Sequence, residues 1–243
     1  MPLPNLLIVG AQKSGTTWLH KALLRSRYFG ANARFKELNF LLLPDFPERL
    51  EEYSNVFPDD AELRYRFEST PGYFSLPEGG IDVASRVADY LPGIETLAVL
   101  RNPVDRYLSA YTHHMMRRRL PYTPEITQMS DAHNMLAYGR YGAILQHWRQ
   151  YVPGLRIYLY DDLAADQPAF LTRVMADLGV VCDVPKRKLD FRANAKAVKI
   201  TNTKWDQMPV LSKALKSDLK TYYRDDITLL QDQIGHDLTH WLD

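Results

Sequence analysis

Short apolar runs rich in β-formers recur along the chain at Leu6–Val9, Thr96–Leu100 and Arg156–Tyr160, with a weaker one at Tyr65–Phe67. Between them the period becomes helical. Leu171, Val174, Met175 and Leu178 mark one face at i, i+3, i+4, i+7, and Leu211, Leu215 and Leu219 step by four in a mostly helical stretch from Val210 to Leu230. Pro103 suits the first turn of a helix running through Val104, Leu108 and Tyr111. Strand and helix in alternation predict a three-layer α/β fold with a mainly parallel central sheet and helices on both faces. Such sheets bind ligands outside the carboxyl ends of their strands, where Lys13 and Arg101 both fall.

The densest chemistry lies in Leu6 to Trp18, Leu-Leu-Ile-Val-Gly-Ala-Gln-Lys-Ser-Gly-Thr-Thr-Trp. An apolar strand runs into a Gly-bounded turn with one lysine and then into a helix starting near Thr16. Gly10 and Gly15 permit a tight turn that brings backbone N–H groups against an anion, and the helix directs the positive end of its dipole to the same place. This is a phosphate cradle, which makes the expected fold P-loop-like. The lysine is misplaced for a nucleotide triphosphatase. The Walker pattern ends in Gly-Lys-Ser/Thr, whereas Lys13 precedes Gly15 and Thr16-Thr17 follow it directly. A different phosphate ligand is implied.

Lys13-Ser14-Gly15-Thr16-Thr17-Trp18-Leu19 resembles the 5′-phosphosulfate loop, Lys-x-Gly-Thr-Thr-Trp/x-Leu, of the sulfotransferases that use 3′-phosphoadenosine 5′-phosphosulfate (PAPS). Further segments resemble the same family in the same order. Arg101, with Ser109 eight positions later and about two turns into a helix, resembles its 3′-phosphate motif. Lys36-Glu37-Leu-Asn-Phe40 resembles the Lys-Glu-x-x-Phe-Phe segment of the carbohydrate-type, heparan sulfate branch, in which the glutamate is the catalytic base. Phe67-Glu-Ser-Thr-Pro71-Gly-Tyr73-Phe74 is similar to that branch's Glu-Lys-Thr-Pro-x-Tyr-Phe, and Ile157-Tyr-Leu-Tyr-Asp161-Asp-Leu163 to its strand followed by Asp/Glu-Asp-Leu.

The resemblance implies a PAPS-dependent sulfotransferase that moves a sulfuryl group to a hydroxyl or amine of a small molecule or glycan and releases PAP. Glu37 is then the general base, whose pKa partial burial beside Phe40 would raise and adjacent Lys36 would lower. Lys13 donates to the bridging oxygen as charge builds there, and Ser14, Gly15, Thr16 and Thr17 hold the 5′-phosphate. No metal is expected, because the lysine and the helix dipole take the role of magnesium in phosphoryl transfer. Arg101 and Ser109 bind the 3′-phosphate. Lys196, Lys199 and Lys204 occupy the region where relatives place a basic loop over that phosphate, and Lys204 is the favoured one. Trp18 either stacks on adenine or packs beneath the loop.

Composition narrows the picture. The 243 residues, 46% of them hydrophobic, suffice for one sizeable core, and with no linker or charge block a single domain over residues 1–243 is expected. A net charge of +1 argues against a nucleic-acid partner held by bulk electrostatics. Cys182 is the only cysteine, which fits a reducing cytoplasm. The N-terminus lacks the basic n-region of a secretory signal, and no apolar run is long enough to span a membrane. Luminal relatives in animal cells carry an anchor, so the chain is expected to be a bacterial-type enzyme or a trimmed piece of a longer one.

Small-molecule sulfotransferases use a histidine base, and none of His20, His113, His114, His133, His147, His236 and His240 lies near the Glu-Ser-Thr-Pro segment in sequence. His113-His114 reads as cleft lining or ordinary surface, and Arg117-Arg118-Arg119 as a solvated helix face in preference to a site for an anionic acceptor. Ser69 stands where the branch has lysine, removing one expected positive charge. Two rivals remain. A magnesium-dependent P-loop kinase would use Asp161 or Asp162 as a Walker B carboxylate, and a non-catalytic nucleotide-binding module would need no base at Glu37.

Overall fold

The computed structural model describes residues 3–77, 80–191 and 205–243. They pack as two compact units, one formed by Met1–Leu100 with His147–Phe191 and the other by Arg101–Gln146 with Arg192–Asp243. The first unit contains β1 (Leu6–Gly10), α1 (Thr16–Leu23), β2 (Phe29–Ala31), α2 (Leu50–Asn55), β3 (Tyr65–Ser69), α3 (Val83–Tyr90) and β4 (Glu95–Leu100). The chain then enters the second unit through α4 (Pro103–Met116) and β5 (Glu125–Ile126), and the division falls within α5 (Tyr141–Tyr151). Back in the first unit come β6 (Arg156–Leu159), α6 (Tyr160–Ala165) and α7 (Gln167–Asp177), and the second unit closes with β7 (Val210–Leu211) and α8 (Lys213–Ile234).

The five strands of the first unit pair in parallel in the order β2-β3-β1-β4-β6, surrounded by helices as expected. Leu6, Leu7, Ile8 and Val9 are all 0% exposed, because a central parallel strand is covered on both faces. That explains their continuous apolar run. From β1 the chain moves to the β2 and β3 side, and from β4 it moves to the β6 side. The carboxyl ends of β1 and β4 therefore flank the switch point at which parallel sheets bind ligands.

Local chemistry sets the helix ends. Asp82 accepts from the amides of Ala84 and Ser85 at the start of α3. Asn102 accepts from Val104 N ahead of Pro103 in α4, and Ser212 accepts from Leu215 N ahead of α8. α8 ends on Gly235 at φ +63°, the left-handed geometry that favours glycine.

Several sequence expectations shift. The strand expected to end at Tyr160 ends at Leu159, and Tyr160 opens α6. α4 does run through Val104, Leu108 and Tyr111 as expected, with Val104, Tyr107 and Ala110 buried and Leu108 and Tyr111 half-buried. Leu211 belongs to β7, because the Ser212 cap starts the helix only at Lys213. The buried face of α8 is then Leu215, Leu219, Tyr223, Ile227 and Leu230. β2 was not anticipated, since three residues are too few to show a period.

Candidate active site

The turn after β1 requires glycine at both ends. A Cβ on Gly10 would stand 2.3 Å from Phe74 Cβ. Gly15 has φ +94°, and a Cβ there would lie 2.7 Å from Leu163 Cδ2. Lys13 itself is left-handed at φ +68°, a conformation that non-glycine residues adopt mainly where surrounding structure imposes it. Gly15 is also the N-cap of α1 and supplies no side-chain acceptor, so the first N–H groups of the helix are left for an anion.

Ser14 is 0% exposed and its Oγ has no hydrogen-bond partner. A buried hydroxyl left unpaired costs about 1–3 kcal/mol, which an oxygen of a phosphate seated in the turn would relieve. The residues present thus fit a phosphate-bearing ligand. Thr16 is buried and Thr17 half-buried on the first turn of α1. Trp18 is 4% exposed, stacked on Phe191 at 5.6 Å and edge-on to Phe170 at 6.3 Å, the packing arrangement of the two sequence alternatives.

Glu37 lies on a segment fastened to the carboxyl end of β3, the strand beside β1. Ser69 N donates to Lys36 O at 3.3 Å, and the amides of Leu38 and Asn39 donate to Thr70 Oγ1 at 3.1 and 3.4 Å. The Glu37 side chain is 53% exposed, so the partial burial expected beside Phe40 is not found. Its neighbour is the buried member of the pair. Lys36, with 19% of its side chain exposed, places Nζ 3.1 Å from Glu37 Oε1 and 3.3 Å from Ser69 O. Burial pulls the Lys36 pKa below the usual lysine value, against the opposing pull of Glu37 and Glu68.

The fold also brings a histidine to the Glu-Ser-Thr-Pro segment, contrary to the spacing in sequence. His20 Nδ1 on α1 is 2.8 Å from Ser69 Oγ, and the ring lies 4.9 Å from that of Phe67. Burial, aided by Lys36 and Lys21, lowers its pKa to about 4. It is therefore neutral near pH 7 and a weak base, suited to hydrogen bonding more than to taking a proton. Ser69, in the place of the branch's lysine, is 0% exposed and serves this contact.

Beside it the fully buried Glu68 accepts from Tyr53 Oη at 2.7 Å, Tyr73 Oη at 3.0 Å and Thr70 Oγ1 at 3.1 Å. Burial pushes its pKa up to about 7 despite these three donors and the nearby Leu38 amide, which oppose the rise. Glu68 falls within the Phe67-Glu-Ser-Thr segment, but neither its burial nor its partnership with Tyr53 of α2 has a local signal.

In the second unit Arg101 precedes α4 and pairs with Asp105 Oδ2 at 3.3 Å, while Ser109 is half-buried on α4. Arg117, Arg118 and Arg119 are exposed on the turn past the end of α4, not on a helix face. His114 is buried and stacks on His133 at 4.2 Å. Lys196, Lys199 and Lys204 lie outside the described residues. The carboxylates of the kinase alternative sit in the first turn of α6, where Asp162 Oδ2 is 2.8 Å from Arg173 Nη2.

No family model matches this chain. It is 30% identical to the human bifunctional heparan sulfate N-deacetylase/N-sulfotransferase 2 over 73% of its own length and 22% of that protein's. It is 28% identical to the human N-deacetylase/N-sulfotransferase 1 over 98% of its length and 31% of that protein's. The chain thus spans under a third of the relatives it matches. In structure it is similar to a sulfotransferase from Alicyclobacillus acidocaldarius, with a TM-score of 0.75 and 23% identity over 100% of both chains. A mouse sulfotransferase, SULT7A1, complexed with PAP, matches with a TM-score of 0.53 and 16% identity over 97% of this chain and 86% of that one. These likenesses disfavour the kinase alternative. The phosphate turn, the strand order behind it and the similarity to heparan sulfate N-deacetylase/N-sulfotransferases agree, and the chain is similar to these proteins in sequence and to sulfotransferases in fold.

Proposed function

We propose that this chain transfers the sulfuryl group of PAPS to a glycan acceptor, at an amino group, with Glu37 as general base. The observation that carries the reading is the placement of the phosphate turn and the Glu37 segment at the carboxyl ends of adjacent strands, β1 and β3, in one unit. The N-sulfotransferases of heparan sulfate among its relatives support the amine and the glycan. The whole chain is read as one sulfotransferase domain, supported by the end-to-end match to the Alicyclobacillus enzyme. A lone half-buried cysteine, Cys182, supports the cytoplasm.

PAPS, when bound, supplies a sulfuryl group on a phosphate leaving group. Glu37 takes the proton that the acceptor nitrogen loses as the S–N bond forms and the S–O bond to the 5′-phosphate breaks. Lys13 and the first amides of α1 stabilise the negative charge left on that phosphate. Ser14 Oγ donates to one of its oxygens. In the second unit, Arg101 and Ser109 are assigned to the 3′-phosphate, which distinguishes PAPS from ordinary adenylates.

The test is radiolabelled sulfate transfer from PAPS to a glycan chain with free glucosamine amines, the same chain N-acetylated, a phenol and a lipid alcohol. Label entering only the free-amine chain is expected. Label entering both glycans equally would move the reaction to a hydroxyl, and label entering only the phenol would end the glycan reading.

A further inference from the structure

Glu68 makes no contact with a substrate in the scheme above, yet its partners lead to the segment carrying Glu37. Thr70 Oγ1 donates its one proton to Glu68 Oε2 and accepts from the amides of Leu38 and Asn39. Tyr73 Oη donates to Glu68 Oε1 and accepts from Leu41 N at 3.2 Å. Tyr53 Oη, from α2, gives a third proton to Oε1. A hydroxyl has one proton and two lone pairs, so giving the proton to Glu68 turns its lone pairs toward the backbone N–H groups. Three amides just after Glu37 are held in this way, in a stretch that also contains Asn39 at φ +59°.

We propose that ionised Glu68 is a positioning residue for Glu37, acting through Thr70 and Tyr73 as a hydroxyl relay that fixes the Leu38–Leu41 backbone. Only the carboxylate form can accept from all three hydroxyls. A proton on Glu68 must itself be donated to Thr70, Tyr73 or Tyr53. The hydroxyl receiving it then turns its own proton away, which for Thr70 and Tyr73 means toward a backbone N–H that also donates. The charged or titratable groups around Glu68 are Tyr53 from α2, Tyr73 beyond β3 and Lys36 from the Glu37 segment, with His20 of α1 one residue along at Ser69. Its pKa, raised to about 7 by burial, puts the protonated and ionised forms within reach of each other near neutral pH.

Glu68→Gln mimics the protonated form in shape and neutrality, with two N–H donors in place of one O–H. Hydrogen exchange at the amides of Leu38, Asn39 and Leu41 should then quicken by about three- to tenfold. kcat for sulfate transfer should fall roughly tenfold or more as Glu37 loses its placement, while PAP affinity and acceptor KM stay within about twofold. An acid limb of kcat near neutrality should be present in the parent and absent in Glu68→Gln. Thr70→Val should loosen Leu38 and Asn39 only, and Thr70→Ser should behave as the parent. Unchanged exchange and kcat in folded Glu68→Gln overturns the relay. If that variant does not fold, Thr70→Val matching Thr70→Ser overturns it. The kinetic half rests on the proposed transfer reaction: a parent that transfers no sulfate refutes that reaction, and the exchange measurements still decide the relay.

Discussion

Glu37 and Glu68 are the same chemical group placed at the same end of β3 in opposite surroundings. The Glu37 side chain is 53% exposed and meets one lysine, whereas Glu68 is 1% exposed and accepts from three hydroxyls. The first can exchange a proton with an incoming molecule. The second can only orient what touches it. Environment rather than residue type divides the labour between them, and it sets opposite costs. Ionising Glu68 in the interior opposes folding at neutral pH, while the Glu37 side chain stands largely in water.

The largest effect is expected at the exposed member. Glu37→Gln keeps the shape and removes the base, so kcat should fall by about 10² to 10⁴ with PAP affinity unchanged, as read by single-turnover transfer and calorimetry. The buried member should speak through stability. The native pKa of Glu68, about 7, lies above the ordinary 4.5, so between these values the native state holds the proton more tightly than the unfolded one. Its contribution therefore favours folding below pH 4.5 and is lost as pH rises toward 7, a change on the order of a few kcal/mol. Urea melts across that window should show a flatter pH dependence for Glu68→Gln than for the parent.

Arg101→Ala probes binding apart from either carboxylate. It should weaken PAP by about tenfold to a hundredfold and leave the urea midpoint nearly unmoved. The smallest effect belongs to the Lys36–Glu37 ion pair as a structural contact. With Glu37 so exposed, Glu37→Gln should change unfolding stability by at most about 1 kcal/mol. A loss of several kcal/mol in the same melts would show Glu37 to be structural and collapse the contrast with Glu68.

What could be read in advance follows the distance along the chain over which each feature is built. The phosphate turn is nine consecutive residues, Gly10 to Trp18, and its glycines, lysine and helix start all act on immediate neighbours. It was therefore visible as chemistry before any resemblance. Glu37 came from the resemblance, and its exposure could not be foreseen because burial there depends on packing against β3. The contacts of His20 with Ser69 and of Tyr53 with Glu68 join α1 and α2 to a later strand. No local period marks such a pair. The strands β1 and β4 showed themselves by apolar runs that burial on both faces demands and the edge strand β6 by a shorter, half-buried run, whereas Phe29–Ala31 was too short to stand out.

The measurement that bears most directly on the account is sulfate transfer from PAPS by the parent chain in excess chelator, paired with PAP and AMP affinities. Transfer that persists without magnesium, with PAP bound at least tenfold more tightly than AMP, is the predicted result. Magnesium-dependent phosphoryl transfer from ATP with equal affinity for PAP and AMP would contradict it.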